Sequence, residues 1–292
     1  MDRSPGELLR GYAFLVPLVL FLAAFVLVPI AGTFVGSLMQ DVTFLPQRFA
    51  GAENYRALLS DPGFAQALRF TVLFTAASVP LELALGLAVA LLLAHPSRAR
   101  GALRACVLIP WAIPAAVSGK VFQLVYNYNY GLANYLMNAM GVVDRPVNWL
   151  GTSAGAFLSL VVADAWKTTP FVAIILLAGL SGIPGHLYLQ AQIDRAGFLR
   201  RFTRITLPLL STVLLIALLF RTIDALRVFD LMFVLTGGGP GGSTTSLSLY
   251  GYNYFLGGDF GYGSAVSVVL FLIALGLSLL YIRVGRFARE LS

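Results

Sequence analysis

From Gly11 to Gln40 the chain runs without a single Asp, Glu, Lys or Arg. That exceeds the ~20 apolar residues a helix needs to cross about 30 Å of hydrocarbon. Comparable runs recur near residues 11–36, 70–94, 105–126, 153–180, 207–235 and 263–282. All six are rich in Leu, Val, Ala and Phe, and none has the short alternating segments of a membrane barrel. The expected fold is an all-α integral membrane protein with six transmembrane helices. Charged residues make up only 11% of the chain, against about 25% in soluble domains. The first run has no small-residue cleavage site before Asp41, so it reads as a span rather than a secretory signal.

A net charge of +7 would suggest nucleic acid in a soluble protein, but here the charges follow the topology. Arg3 and Arg10 precede span one, and Arg98, Arg100 and Arg104 separate spans two and three. Arg195, Arg200, Arg201 and Arg204 separate spans four and five, and Arg283, Arg286 and Arg289 follow span six. A six-span path puts these segments on one side, which the positive-inside rule makes cytoplasmic, with both termini. Arg48, Arg56 and Arg145, on the other side, are accompanied by Asp41, Glu53, Asp61, Asp144 and Asp259. No nucleic-acid partner is expected. The lone Cys106 reads as a small apolar core residue.

Several chemistries are missing. No stretch matches the phosphate-cradling G-x-x-x-x-G-K-[ST]: Gly119–Lys120 is followed by Val121, and Lys167–Thr168 is preceded by Trp166. A metalloenzyme or intramembrane hydrolase needs His, Cys or paired carboxylates at membrane depth, whereas His95 and His186 flank span ends. The chain therefore reads as a non-enzyme with no cofactor or metal of its own.

Three longer loops, 37–69, 127–152 and 236–262, contain GAENY (Gly51–Tyr55), NYNYGLANYL (Asn127–Leu136), TGGGPGGSTTS (Thr236–Ser246) and LYGYNYF (Leu249–Phe255). Such segments either line a polar surface or form flexible connections. Pro80, Pro110, Pro114 and Pro170 are expected to kink or break their helices. No internal repeat is evident, so residues 1–292 read as one transmembrane domain.

Within the spans, Asp164 and Lys167 lie one turn apart and can pair. Arg221, Asp224, Arg227 and Asp230 alternate in sign at spacing three, beginning ~21 Å along span five. Charges at this depth face a bundle interior or a wet cavity, either as a polar route or as ion pairs that fix packing or close an outer gate. Lys167, Thr168, Arg221, Asp224 and Asn253 are the pathway candidates by polarity and depth, with Asp224 and its arginine neighbours lining or closing its outer part. Glu82 and Lys120 stand isolated and receive no role.

Residues 184–206 form a charged stretch between two apolar runs. A short helix is expected from Pro184 to near Gly197, then a second in which Phe198, Phe202 and Ile205 share one face. Thr206 and Pro208 suit the cap and first turn of span five. By itself this amphipathic elbow could lie on anionic lipid.

The whole string resembles the cytoplasmic coupling loop of ABC importer permeases, approximately E-A-A-x-x-x-G followed by I-T-L-P. Ile183–Pro184, Leu187–Tyr188, Ala191, Ile193–Asp194, Ala196–Gly197, Phe202 and Ile205-Thr206-Leu207-Pro208 stand at the corresponding places. Leu189 replaces the usual Glu, Gln190 the first Ala, and Arg195 the Gly after the Asp. GAENY, DAWKTTPF, LLFRTIDALRVFD and LTGGGPGGST resemble the carbohydrate-uptake branch, most nearly the first permease of trehalose and maltose importers.

The resemblance implies the type I importer permease (MetI-like) fold and a disaccharide cargo. It also implies an assembly with a second permease, two ATPase subunits that hold ATP and Mg, and an extracytoplasmic sugar-binding protein in the cell membrane. Coupling to the ATPase is expected at Tyr188, Leu189, Gln190, Ala191, Asp194, Ala196, Gly197, Phe198 and Phe202. The alternative from another class is a self-sufficient six-span channel or secondary carrier, in which the membrane charges form the ion route.

Overall fold

The computed structural model describes residues 5–95 and 98–290, with side chains for 14–95 and 98–283. Arg3 and the side chains of Arg10, Arg286 and Arg289, used in the topology argument, lie outside the described residues. Helix α1 (Pro5–Leu22) passes through a π turn into α2 (Val28–Ser37). A hairpin of β1 (Met39–Gln40) and β2 (Arg48–Phe49) follows, then α3 (Glu53–Ser60) and α4 (Pro62–Ala94). The chain continues with α5 (Arg100–Ala112), α6 (Ala115–Val125), α7 (Leu132–Ala139), α8 (Ser153–Ser181) and α9 (Gly185–Ile193). Next, α10 (Phe198–Arg201) leads through a π turn at Phe202–Thr206 into α11 (Leu207–Leu226). The last helices are α12 (Asp230–Leu235), α13 (Leu247–Leu256) and α14 (Phe260–Glu290).

Among the described residues, five helical runs are long and apolar enough to span a membrane: Phe14–Ser37, Pro62–Ala94, Ser153–Ser181, Phe198–Leu226 and Phe260–Arg283. The pair α5 and α6 supplies a sixth if taken as one span broken by 91°. Of the four prolines flagged from sequence, Pro114 marks this break: it holds Ile113 extended at φ −72°, ψ 131° and ends α5. Pro80 and Pro170 lie inside continuous helices. Span five is shorter than expected, because the helix stops at Leu226 and Asp230 begins a separate helix. The Ser246 hydroxyl takes up the Val228 carbonyl at that break, 2.7 Å away.

The described chain divides into two compact units. In the first, residues 1–61 and 250–271, the GAENY segment is a clasp rather than a lining. Asn54 donates to the carbonyls of Ser37 and Met39, both at 2.9 Å, and the Tyr55 hydroxyl meets Ser37 Oγ at 2.6 Å. Asp61 accepts from the phenols of Tyr250 and Tyr262. Burial, with Asp61 adding to it, holds the Tyr250 phenol well above its usual range.

The second unit, residues 62–249 and 272–292, is built on α4, α8 and α11. Lipid tails are as apolar as Leu, so helices in a membrane associate through close packing more than through the hydrophobic effect. Here α4 and α8 meet at Gly86, where a Cβ would lie 2.5 Å from Val172 Cγ1 and 3.2 Å from the Ala173 backbone nitrogen. Around this seam Phe74, Leu160, Val172 and Leu176 are fully buried. The loop residue Asn134 is structural too: it donates to the carbonyls of Tyr128 and Val147 and accepts from the Val147 amide and Trp149 Nε1. Cys106 departs from expectation. It is exposed, because α5 buries no residue and Cys106 lies on its open side.

Replacing Gly86 by Ala is expected to cost ~1–3 kcal/mol through overpacking. Gly276→Ala, where nothing lies within 4 Å, should be silent. Thermal unfolding of the two variants in the same detergent checks this.

Candidate functional site

Arg221, on α11, is 3% exposed, so its guanidinium sits in an environment that tolerates charge only when it is matched. Each of its three nitrogens faces a different carboxylate. Nε donates to Glu82 of α4 at 2.6 Å, Nη2 to Asp164 of α8 at 3.2 Å, and Nη1 lies 3.6 Å from Asp224, one turn on along α11. The partly exposed Asp224 is also held by Arg227 Nη2 at 2.8 Å. One guanidinium therefore joins the three central helices. Glu82, left without a role in the sequence, is fully buried and provides the shortest of these contacts.

The pairing of Asp164 with Lys167 does not form. Asp164 faces Arg221, while Lys167 Nζ reaches back to the Ile113 carbonyl at 2.8 Å and the Trp111 carbonyl at 3.4 Å. Those carbonyls lie where α5 ends before Pro114 and lack helical donors, so an ammonium suits them. Thr168 spends its hydroxyl on the Asp164 carbonyl at 2.7 Å and is buried. Asn253 is exposed on α13 and belongs to the other unit. Of the five pathway candidates, the structure brings Arg221 and Asp224 together, with Glu82 and Asp164 added.

Sequence reasoning passed over an aromatic group beside Lys167. The Trp111 and Phe171 rings stack at 5.7 Å, and Phe220 meets Phe171 edge-on at 6.5 Å. Trp111 and Phe220 remain about half exposed. The spacing of Phe171 four residues after Lys167 is the local signal, since both then lie on one face of α8.

Most of the elbow is exposed, with Tyr188 and Phe202 half-buried and Thr206 buried. Leu189 is 61%, Ile193 82%, Phe198 68% and Leu199 72% exposed, while Ala191 and Ala196 are half-buried. Phe198 and Phe202 stack at 6.2 Å, as their shared face requires. Two details correct the sequence reading. Helix α9 ends at Ile193, before Gly197, and Arg195, a non-glycine residue, adopts a left-handed φ of 52°. Thr206 is no N-cap: its backbone is helical, and α10, the π turn and α11 form one continuous run. Its hydroxyl instead meets the Tyr188 phenol at 2.9 Å, which ties the first helix of the elbow to the second.

The described chain is thus a multi-pass helical bundle with a two-helix elbow and a buried charge cluster. The chain belongs to the family of binding-protein-dependent transport system inner membrane components, whose model matches residues 82–289. It is similar to the trehalose/maltose transport system permease protein MalF of Thermococcus litoralis, 51% identical over 96% of this chain and 95% of that one. It is also similar to the sulfoquinovosyl glycerol transport system permease protein of Agrobacterium fabrum, at 39% identity over 96% and 92%. The trehalose transport system permease SugA of Mycobacterium tuberculosis is 39% identical over 80% and 74%. Among solved structures, a bacterial alginate ABC transporter in complex with an alginate-bound periplasmic protein has the same fold, with a TM-score of 0.84 at 22% identity and 98% coverage of each chain. As a permease subunit this chain is a transport component, and ATP hydrolysis belongs to separate subunits.

Replacing Arg221 by Met strands two buried carboxylates and is expected to cost ~3–5 kcal/mol. Combining it with Glu82→Leu and Asp164→Leu removes the buried part of the cluster and should restore most of that loss, with Asp224 still held by Arg227. Unfolding in mixed micelles, read on the single and triple variants, distinguishes a matched charge cluster from a dispensable one.

Proposed function

We propose that this chain is one of two permeases in an ATP-driven importer of a neutral disaccharide, trehalose or maltose. The observation that carries the cargo is the near-full-length 51% identity to the trehalose/maltose permease. The same reading gives the assembly two ATPase subunits, which hold ATP and Mg, and an extracytoplasmic sugar-binding protein. Both termini and the elbow face the cytoplasm, in keeping with the basic residues around the elbow. Residues 1–292 act as one transmembrane domain.

A neutral sugar needs ring faces and hydrogen-bonding groups rather than a full ion pair. The aromatic trio of Trp111, Phe171 and Phe220, half open beside Lys167, supplies the first. Asp224, partly exposed and held by two arginines, stands at the edge of the charge cluster as the carboxylate that meets the path. Lys167, Thr168 and Arg221 then work mainly as framework for the path, with Asn253 a further polar candidate. ATP binding closes the ATPases, draws the elbows together and opens the spans outward, and hydrolysis resets them. The elbow docks through Tyr188, Leu189, Gln190, Ala191, Asp194, Ala196, Gly197, Phe198 and Phe202.

Gly197 isolates the docking step. Its φ of −66° suits any residue, and a Cβ there would meet nothing within 4 Å. Gly197→Leu should therefore leave membrane insertion and folding intact while lowering sugar-stimulated ATP hydrolysis of the purified assembly at least about tenfold, as loss of ~1.4 kcal/mol of docking would. Full coupling in that variant would remove the elbow from the docking surface. Mass spectrometry of material copurified from native membranes is expected to recover an ATPase, a second permease and a sugar-binding protein. Recovery of this chain alone would favour a self-sufficient carrier.

A further inference from the structure

At the end of the second unit away from the elbow, α4, the start of α8 and the glycine-rich loop line a groove of about 940 Å³. Its upper rim is polar. Arg69 and Gln66 come from α4, Ser153 opens α8, and Ser243 comes from the glycine-rich loop. Its lower walls are apolar, with Leu73 49% and Leu158 62% exposed.

Arg69 is the one charged residue of the groove's lining. It is exposed and, like most arginines among the described residues, makes no ion pair there. It stands at the edge of span two, just before the apolar run 70–94 and ~10 Å along α4 from Pro62. There a guanidinium must either extend to water or find an anion. The Ser243 hydroxyl is buried and has no hydrogen-bond partner, and the Gln66 amide spends one N–H on the Gly241 carbonyl at 3.4 Å.

We propose that this groove holds one anionic phospholipid of the leaflet opposite the elbow. The phosphodiester takes the planar fork of Arg69, for which bidentate phosphate geometry is well matched. The glycerol region reaches the free amide and hydroxyl groups, and the chains lie on Leu73, Phe157 and Leu158. Both halves of the groove argue for this occupant. A free phosphate leaves the apolar walls uncovered, and a sugar leaves the guanidinium unmatched. The proposal does not depend on which sugar is carried.

Native mass spectrometry of the purified assembly tests it, with phosphatidylglycerol, phosphatidylcholine and inorganic phosphate as probes. The wild type should retain phosphatidylglycerol about fivefold better than phosphatidylcholine, the preference one basic residue gives at a membrane surface. Arg69→Gln should erase the preference, and Arg69→Lys, which keeps the charge without the fork, should retain part of it. Leu158→Trp, which fills the lower half with Arg69 intact, should reduce phosphatidylglycerol binding. Equal retention of the two lipids, or a preference that survives Arg69→Gln, would overturn the proposal. So would displacement by inorganic phosphate, the mark of a simple anion site, or loss of a copurifying subunit on Arg69→Gln, the mark of a protein interface.

Discussion

A guanidinium inside a membrane bundle sets conditions on everything near it. Arg221 is held by carboxylates from α4 and α8 and by one from its own helix, so those helices must keep their relative height and rotation for the charge to stay matched. Arg227 also holds Asp224, so each carboxylate of the cluster faces at least one guanidinium. The close backbone approach at Gly86 is compatible with this register because it brings α4 and α8 near enough for both acids to reach one arginine. Lys167, freed from Asp164, takes the broken end of α5 and so fixes the bend that precedes α6.

The same helix that carries Arg221 begins in the elbow. Phe198 to Leu226 is one uninterrupted run, ~43 Å long at 1.5 Å per residue, and the Tyr188–Thr206 contact fastens α9 to its lower part. A force applied to the exposed elbow therefore acts on a rigid rod rather than on a flexible loop. The far end of that rod holds the charge cluster and carries Phe220 of the aromatic trio, so elbow, cluster and trio all draw on one helix. The π turn at Phe202–Thr206 lets the amphipathic start of the rod merge into its apolar continuation without a break.

Much of this was legible in the sequence, and what was not has physical reasons. Span number and the elbow could be read because apolar runs and helical periodicity are contiguous signals. The Glu82–Arg221 contact joins residues 139 apart, so neither residue announced its partner. The requirement that every intramembrane charge be matched could still have paired them across helices. Lys167 went astray because its acceptors are backbone carbonyls, which carry no sequence label. Asn54 and Asn134 have the composition of either a polar lining or a loop, and only their hydrogen bonds identify them as clasps. Thr206 fitted a cap by residue type, but the helix ran through it.

The most direct test of the account is uptake of labelled trehalose by proteoliposomes containing this chain with the subunits that copurify with it. Accumulation that requires ATP on the side of the ATPases, and that disappears when those subunits are left out, is the predicted result. Uptake by this chain alone, with no nucleotide present, would contradict it.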